Sequence, residues 1–182
     1  MTALRRAFLA AVPPAPVLDA VEALVAGASR RGFKWTRRDQ WHITVQYFGK
    51  VADADALVGA LAGAVVQVPA PTVLLRGAGG FPSAKRAAVY WLGVDDEAGL
   101  TAVHTAVVEA AGAFLRARDL VHFTPHLTLA RLPSPKKLVE EVTALERVTF
   151  GPAWNVEEVV LMESETRRDG AVYHQVARLP LG

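Results

Sequence analysis

The chain has 182 residues, 52% of them hydrophobic and 21% charged, a composition typical of a folded globular protein rather than a disordered one. The formal net charge of +2 at pH 7 is too small for the protein to bind nucleic acid through its overall charge. A local basic patch could still bind an anion. There is no cysteine, which excludes disulfides and thiolate metal sites and is compatible with a cytoplasmic protein.

Near the N terminus, Arg5 and Arg6 precede a short apolar run at residues 8–12, which ends at Pro13. The run is shorter than the apolar region of a secretory signal peptide, about 7–15 residues, so we interpret it as the first strand. No later apolar stretch approaches the roughly 20 residues needed to span a bilayer. The sequence therefore predicts a cytoplasmic protein without a membrane partner, organised as one domain over residues 1–182.

Hydrophobic spacing predicts the element order β-α-β-α-β-β-α-β-α-β-β-β. Helices are expected at about residues 17–29, 53–66, 95–118 and 134–146. The last of these is expected to begin with Ser134 as its cap and Pro135 at its first position. Many short strands with four helices predict an α+β fold, with two antiparallel sheets in two similar lobes around a central cleft.

The densest basic stretch of the chain lies between the first helix and the next strand. It interleaves Phe33 and Trp35 with five basic residues: Arg30, Arg31, Lys34, Arg37 and Arg38. A solvated loop is the simplest interpretation. Its position directly before His42 makes a surface for an anionic ligand the alternative.

One tetrapeptide pattern occurs twice. The chain reads His42-Ile43-Thr44-Val45 in one apolar stretch and His126-Leu127-Thr128-Leu129 in another. Residues i and i+2 of a strand share a face, so each copy presents an imidazole and a hydroxyl on one face and two apolar side chains on the other. If the two strands meet, two imidazoles and two hydroxyls converge.

Two imidazoles can act as acid and base at the same time when one is protonated and the other is not. Hydrolysis of a cyclic phosphodiester needs both, a base to activate water and an acid to protonate the departing ribose oxygen. The hydroxyls of Thr44 and Thr128 can donate hydrogen bonds to the oxygens on which negative charge develops. A zinc site is the competing interpretation, but neither motif contains an acidic residue and there is no H-E-x-x-H. We therefore predict no metal and no other cofactor.

The other three histidines are expected to lie outside the reacting pair. His122-Phe123-Thr124 also reads His-x-Thr, but Pro125 cannot donate a ladder hydrogen bond and marks the strand entrance. This assigns His122 to the approach loop, with a substrate contact as the alternative. His104 lies on the apolar stripe of a helix and is expected to be structural. His174 is expected to be structural or at the rim of the site.

The ordered set of motifs resembles the two-histidine (2H) phosphoesterase superfamily. Within it, the pattern is similar to that of the bacterial and archaeal RNA 2′,3′-cyclic phosphodiesterases of the LigT/ThpR type, once described as 2′-5′ RNA ligases. The resemblance covers nearly the whole chain and lies in residues 6–10 with 13–14, 41–49, 80–82, 86–94 and 123–131. The last segment favours His126 over His122 as the second motif histidine. Where the family often has Leu between Gln46 and Gly49, this chain has Tyr47-Phe48.

The resemblance implies a bilobal fold with a pseudo-two-fold axis and metal-independent hydrolysis of 2′,3′-cyclic phosphates at RNA or nucleotide ends, usually to a 2′-phosphate. It implies His42 as proton donor and His126 as proton acceptor, roles that the near-symmetric motifs do not decide. Substrate contacts are expected from Thr44, Thr128, Phe48, Phe81, Arg86 and Arg131. Phe48 and Phe81 would line the base-binding side by stacking. Strict alternation puts Arg131 on the face opposite His126, unless the strand bulges or Arg131 reaches the ligand from the end of the motif.

The expected protein is thus a monomeric hydrolase acting on RNA or nucleotides. Reversible 2′-5′ RNA ligation is a further activity expected of this hydrolase. One alternative is a superfamily member acting on another phosphoester, such as a 2′-5′-linked oligonucleotide or a cyclic ADP-ribose phosphate. The other is a non-catalytic protein that grips RNA ends through the basic stretch and both motifs. Two complete motifs argue against the second, because a pure binder does not need two imidazoles of opposite protonation.

Overall fold

The computed structural model describes residues 2–29, 31–95, 97–120, 122–168 and 170–182. Its strands are β1 Leu4–Ala11, β2 Lys34–Trp35, β3 Ile43–Val51, β4 Thr72–Phe81, β5 Ala87–Asp95, β6 His126–Lys136, β7 Thr149–Asn155, β8 Glu158–Arg167 and β9 Gly170–Pro180. Its α-helices are α1 Ala15–Ala26, α2 Ala54–Val65, α3 Glu97–Ala110 and α4 Val139–Leu145. The predicted α+β class and antiparallel pairing are confirmed.

The strands follow the hydrogen-bonded order β7-β4-β5-β6-β3-β1-β8-β9, and β2 pairs with β6. Between β3 and β6, the described residues form one pair, Ile43 with Leu127. The two predicted sheets are therefore continuous, but a single pair joins β7-β4-β5-β6 to β3-β1-β8-β9. Ile43 and Leu127 each follow a motif histidine directly, so this junction also brings the two motifs together.

Burial fixes which face of each motif strand points to the cleft. Ile43, Leu127 and Leu129 are 0% exposed, whereas His42 and His126 are partly exposed. Burying one large aliphatic side chain contributes about 1.5–3 kcal/mol. A one-residue slip of either strand would expose such side chains and bury the histidines, so the hydrophobic pattern specifies the register strongly.

The predicted start of the fourth helix is wrong. β6 continues as a strand to Lys136, which pairs with Ala87 of β5, and α4 begins only at Val139. The described pairs of β2 with β6 end at Arg131, so Pro133 and Pro135 lie on an edge where a missing N–H costs nothing. Extended pairing there replaces the cap that the sequence suggested.

The predicted third helix is too long. α3 ends at Ala110, and a short 3-10 turn, Gly112–Phe114, follows. Glycine lowers helix propensity by about 1 kcal/mol relative to alanine, which favours termination here. At the other end, Asp95 closes β5 and Asp96 lies outside the described residues. Within the part of the chain that is described, no helix combines the length and the apolar character that a membrane span requires.

Candidate active site

The two His-x-Thr motifs meet at the junction of β3 and β6. His42 directly precedes β3, His126 opens β6, and the residues after them pair with each other. A protonated His126 would lower the pKa of His42, which places the two imidazoles within electrostatic reach. Thr44 and Thr128 alternate onto the same faces as their histidines, away from the core.

A backbone carbonyl orients each imidazole. His42 Nδ1 lies 2.8 Å from the carbonyl oxygen of Gln40, and His126 Nδ1 lies 2.7 Å from that of Thr124. A carbonyl oxygen only accepts, so Nδ1 carries the hydrogen in both rings and Nε2 is left for chemistry. His42 Nε2 lies 3.1 Å from Thr44 Oγ1, and in the neutral ring this nitrogen accepts from the hydroxyl. No described residue forms such a hydrogen bond with His126 Nε2.

Aromatic rings hold both imidazoles in place. The His42 ring lies 4.9 Å from the Phe8 ring and 5.1 Å from the Tyr173 ring, centroid to centroid. Phe8 belongs to a small second core with Ala10, Val160 and Met162. The His126 ring lies 4.9 Å from Phe81 and 5.8 Å from Trp91.

Trp91 reaches His126 because its partner across the strands is a glycine. Gly79 pairs with Trp91, and a Cβ at Gly79 would lie 2.2 Å from the indole ring. Any other residue would push Trp91 off β4. The glycine in this strand is therefore needed for close packing.

Burial lowers the pKa of both motif histidines. The pKa of His42 falls to about 4, chiefly because the ring is buried; His126, whenever it is protonated, and the cationic Arg131 lower it further. The pKa of His126 is also lowered, by burial and by Arg131. Both imidazoles are consequently neutral at pH 7 in the unliganded protein.

A bulge in β6 brings Arg131 to the site. Trp91 pairs with Thr128, but Tyr90 pairs with Ala130, so β6 holds one extra residue there. Leu129 and Ala130 are both 0% exposed, and Arg131 moves to the face of the histidines. Of the two possibilities left open by alternation, the bulge is the observed one. No ion pair or hydrogen bond joins the Arg131 side chain to another described residue.

A bulge in β3 has the matching effect on Tyr47. Leu9 pairs with Gln46 but Ala10 pairs with Thr44, which puts Tyr47 on the face of Thr44 and turns Phe48 inward. Phe48 is 0% exposed, whereas Tyr47 is 44% exposed. The expectation that Phe48 lines the base-binding side is therefore wrong. Tyr47 is the residue that the sequence reading missed, and no periodicity in the sequence signals it.

Two cavities open from this junction and share Thr44 and Tyr47. The His126 cavity, about 330 Å³, has largely apolar and aromatic walls that include Phe81, Phe123 and His126. The His42 cavity, also about 330 Å³, is polar and includes His42, Arg6 and Arg131. The cleft between the motif strands thus has an apolar side and a cationic side.

Arg86 lies away from the histidines, contrary to expectation. It ends a one-turn helix before β5, where Ala87 pairs with Lys136. His126 pairs with Gly93 at the other end of β5, roughly 20 Å along the strand at 3.4 Å per residue. An anion held between the two histidines is therefore out of reach of Arg86.

Phe81 packs edge-on against His126, and its contact with the base of a substrate stays a prediction. His122 is exposed and lines the His126 cavity, so a substrate contact stays a prediction. His104 Nδ1 lies 2.9 Å from the carbonyl oxygen of Val45 and its ring stacks on Phe123. Because His104 also lines the His126 cavity, its structural role stays a prediction. His174 faces Glu165 at 3.0 Å.

Two arginines of the basic stretch, Arg37 and Arg38, are neutralised by carboxylates. Arg38 lies 2.7 Å from Asp19 and 2.9 Å from Glu22, and Arg37 lies 3.1 Å from Asp39. These two arginines line a separate cleft of about 550 Å³ on another side of His42, where carboxylates already balance their charge. In the backbone pairing of β2 with β6, Lys34 lies opposite Arg131. Arg30 lies outside the described residues. Among the residues described, no group of three or more metal-ligating side chains could hold a metal ion.

Comparison with known proteins gives a consistent picture. The RNA 2',3'-cyclic phosphodiesterase of Aquifex aeolicus (strain VF5) is 28% identical over 157 residues, 82% of this chain and 82% of that protein. The RNA 2',3'-cyclic phosphodiesterase of Aeropyrum pernix is 28% identical over 143 residues, 77% of this chain and 81% of that protein.

Solved structures share the whole fold. TT0787 of Thermus thermophilus superposes with a TM-score of 0.80 at 26% identity, covering 97% of both chains. E. coli LigT in apo form superposes with a TM-score of 0.77 at 23% identity, covering 99% of both chains. The model of the 2'-5' RNA ligase superfamily matches residues 12–168, which include both motif strands. The chain belongs to the 2'-5' RNA ligase superfamily.

Proposed function

We propose that this protein hydrolyses 2′,3′-cyclic phosphodiesters at RNA or nucleotide ends to 2′-phosphates, without a metal. The observation that carries the proposal is the pair of imidazoles at one strand junction, each with Nδ1 fixed by a carbonyl and Nε2 available. Such a pair supplies an acid and a base on the two sides of one phosphate. The names of the similar proteins from Aquifex aeolicus and Aeropyrum pernix support the same reaction.

In the proposed reaction, one imidazole takes a proton from water and the water oxygen bonds to phosphorus. The bond from phosphorus to the ribose O3′ breaks, and the other imidazole gives its proton to O3′, which leaves a 2′-phosphate. By resemblance to the family, His126 is the base and His42 is the acid. Both rings are neutral in the unliganded protein, so the acid takes up its proton when the anionic substrate arrives and raises its pKa.

In the proposed mechanism, three groups stabilise the phosphorane. The hydroxyls of Thr44 and Thr128 lie on the faces of the two histidines and donate to the non-bridging oxygens. Arg131 adds a positive charge that no described carboxylate neutralises. Preorganised donors of this kind are each worth about 10²–10³ in rate. The base packs in the His126 cavity beside Phe81, where stacking tolerates any base.

We also propose that the protein acts as a single-domain monomer in the cytoplasm, consistent with its lack of cysteine. Reversible 2′-5′ ligation would use the same groups in the opposite direction, because the acid of one direction is the base of the other.

The test is incubation with 2′,3′-cyclic AMP in EDTA, followed by phosphorus NMR. We expect the cyclic phosphate signal to give way to that of the 2′-monophosphate. Loss of turnover on adding EDTA would contradict the metal-free mechanism. Binding of RNA with a cyclic phosphate end, without any turnover, would instead identify a non-catalytic binder.

A further inference from the structure

We infer that the His42 cavity contains a second anion subsite, formed by Arg6, Ser164 and Thr166, which binds the phosphate on the 5′ side of the reacting nucleotide. This inference rests on the proposed function and adds to it a contact that distinguishes an RNA end from a mononucleotide. The three residues line the cavity together with His42 and Arg131. We call them the Arg6 subsite.

Strand pairing places the Arg6 subsite next to the reacting group. Phe8 of β1 pairs with Met162 of β8, and side chains two residues apart share a face. Arg6 therefore lies on the face of Phe8, which packs against His42. Its guanidinium donates a hydrogen bond to the hydroxyl of Thr166.

Acidic side chains of β8 do not neutralise this surface. Glu163 and Glu165 alternate onto the opposite face of the strand. Glu163 accepts from the backbone N–H of Arg5 at 2.8 Å, and Glu165 accepts from Arg167 at 2.8 Å and from His174 at 3.0 Å. No carboxylate among the described residues forms an ion pair with Arg6.

Arg6 and Arg131 both place positive charge near the same wall residue of the His42 cavity. Tyr173 lies in its wall, and the positive charges of Arg131 and Arg6 both act to lower the pKa of its phenol, although burial raises that pKa overall. The nearby Asp39 is already paired with Arg37 at 3.1 Å. The His42 cavity is therefore net positive at two points, near the histidines at Arg131 and farther away at Arg6.

The chemistry of an RNA end matches these two points. The 2′,3′-cyclic phosphate carries one negative charge, which Arg131 meets beside the motif histidines. In RNA the 5′ oxygen of the same ribose carries a second charged phosphate, which a mononucleoside cyclic phosphate lacks. The base occupies the apolar His126 cavity, so the 5′ side of the ribose is left to the cationic cavity. Arg6 and two hydroxyls are suitable donors for a phosphate there.

The inference is tested by calorimetric binding of adenosine 2′-monophosphate and adenosine 2′,5′-bisphosphate. We expect the bisphosphate to bind the wild-type protein about tenfold more tightly, a gain typical of one charge-assisted contact. Arg6→Gln should remove most of that gain. Arg5→Gln is the matched control, because Arg5 is adjacent on β1 but does not line the cavity, and it should keep the gain.

Equal affinities of the two ligands for the wild-type protein, or a gain that survives in Arg6→Gln, would overturn the inference. Thr166→Val provides a second variant should Arg6→Gln not fold, and we expect it to reduce the gain by severalfold. Failure of the proposed function shows up separately, as absent turnover of 2′,3′-cyclic AMP, because the binding comparison needs no catalysis. If the protein turns over its substrate, kcat/KM for a dinucleotide ending in a 2′,3′-cyclic phosphate should exceed kcat/KM for 2′,3′-cyclic AMP. Arg6→Gln should reduce this preference for the dinucleotide.

Discussion

The two motif strands use the same backbone device to present different side chains. In each strand a histidine and a threonine face the cleft, and a bulge follows the threonine. The bulge turns the fifth residue after the histidine into the cleft, Tyr47 in β3 and Arg131 in β6. The two motif strands are therefore alike in their backbone and in their His-x-Thr side chains, while only one of the two residues that the bulges turn inward, Arg131, is charged.

The surroundings of the two histidines differ as well. His42 packs between Phe8 and Tyr173, its Nε2 is bonded to Thr44, and its pKa falls to about 4. His126 packs against Phe81 and Trp91, and none of the described residues bonds to its Nε2. In the unliganded protein His42 is thus held neutral by the deeper burial. If it is the acid, the substrate must raise its pKa by several units.

The largest effect should come from removing either imidazole. We expect His42→Ala and His126→Ala each to lower kcat by about 10²–10⁴, the usual contribution of a general acid or base. The double variant should be little worse than the poorer single variant, because the two groups act in one step. His122→Ala is the control, and steady-state kinetics on 2′,3′-cyclic AMP is the measurement. A loss as large in His122→Ala as in His126→Ala would mean that the second motif is misassigned.

The contrast between Arg131 and Tyr47 gives the next largest effect. We expect Arg131→Gln to lower kcat/KM by roughly 10²-fold, through loss of charge stabilisation. Tyr47→Phe, at the equivalent position of β3, should change kcat/KM by less than about tenfold, because it removes a neutral hydroxyl and no positive charge that stabilises the phosphorane.

Arg131→Gln should also move the pH profile. The kcat/KM profile of the wild-type protein should be bell-shaped with its maximum below pH 6.5, because the pKa values of both free imidazoles lie below their ordinary value. Arg131 opposes protonation of both rings, so its removal raises both pKa values and shifts both limbs to higher pH. Unshifted limbs would show that Arg131 does not act on the histidines.

A smaller effect should follow from filling the space under Trp91. Gly79→Ala places a methyl group where the indole ring lies, and we expect a loss of about 1–3 kcal/mol in the free energy of unfolding, together with reduced activity through His126. Gly59→Ala is the matched control in α2, where a Cβ meets nothing within 4 Å, and it should stabilise the protein by about 0.5–1 kcal/mol. Urea unfolding measures both. Equal effects would show that Gly79 is not needed for close packing.

The sequence predicts the motif strands well because buried and cleft-facing side chains alternate regularly from the histidine to the threonine of each motif. Ile43 and Leu127 are buried, so the period of two places His42 and His126 in the cleft. The same rule fails beyond each threonine, because a bulge adds a residue that leaves no mark in the hydrophobic pattern. For this reason Phe48 lies in the core, although strict alternation predicts the cleft, and Arg131 shares the face of His126 only because of the bulge.

Long-range pairing explains the other differences. Ser134 and Pro135 carry a good local signal for the start of a helix, but pairing with β5 extends β6 through them. In the basic stretch, Arg38 is neutralised by Asp19 and Glu22 of α1, partners that no spacing within the stretch reveals. The Arg6 subsite is likewise assembled from β1 and β8, which are distant in the chain.

The last effect should appear in the pH dependence of stability rather than in activity, and it isolates the burial of His42. Its pKa is about 4 in the folded protein and 6.5 in the unfolded chain, so as pH falls below 6.5 the unfolded chain binds the proton first. Folding therefore loses about 3 kcal/mol from this group between neutral pH and pH 4. His42→Gln has no such titration. Urea unfolding at about pH 7.5 and pH 4 should therefore show that the free energy of unfolding falls by about 3 kcal/mol less in the variant than in the wild-type protein. All other titrating groups are common to the two proteins, so an equal loss of stability in both would mean that burial does not hold His42 neutral. His42 could then act as the proton donor without a substrate-induced rise in its pKa.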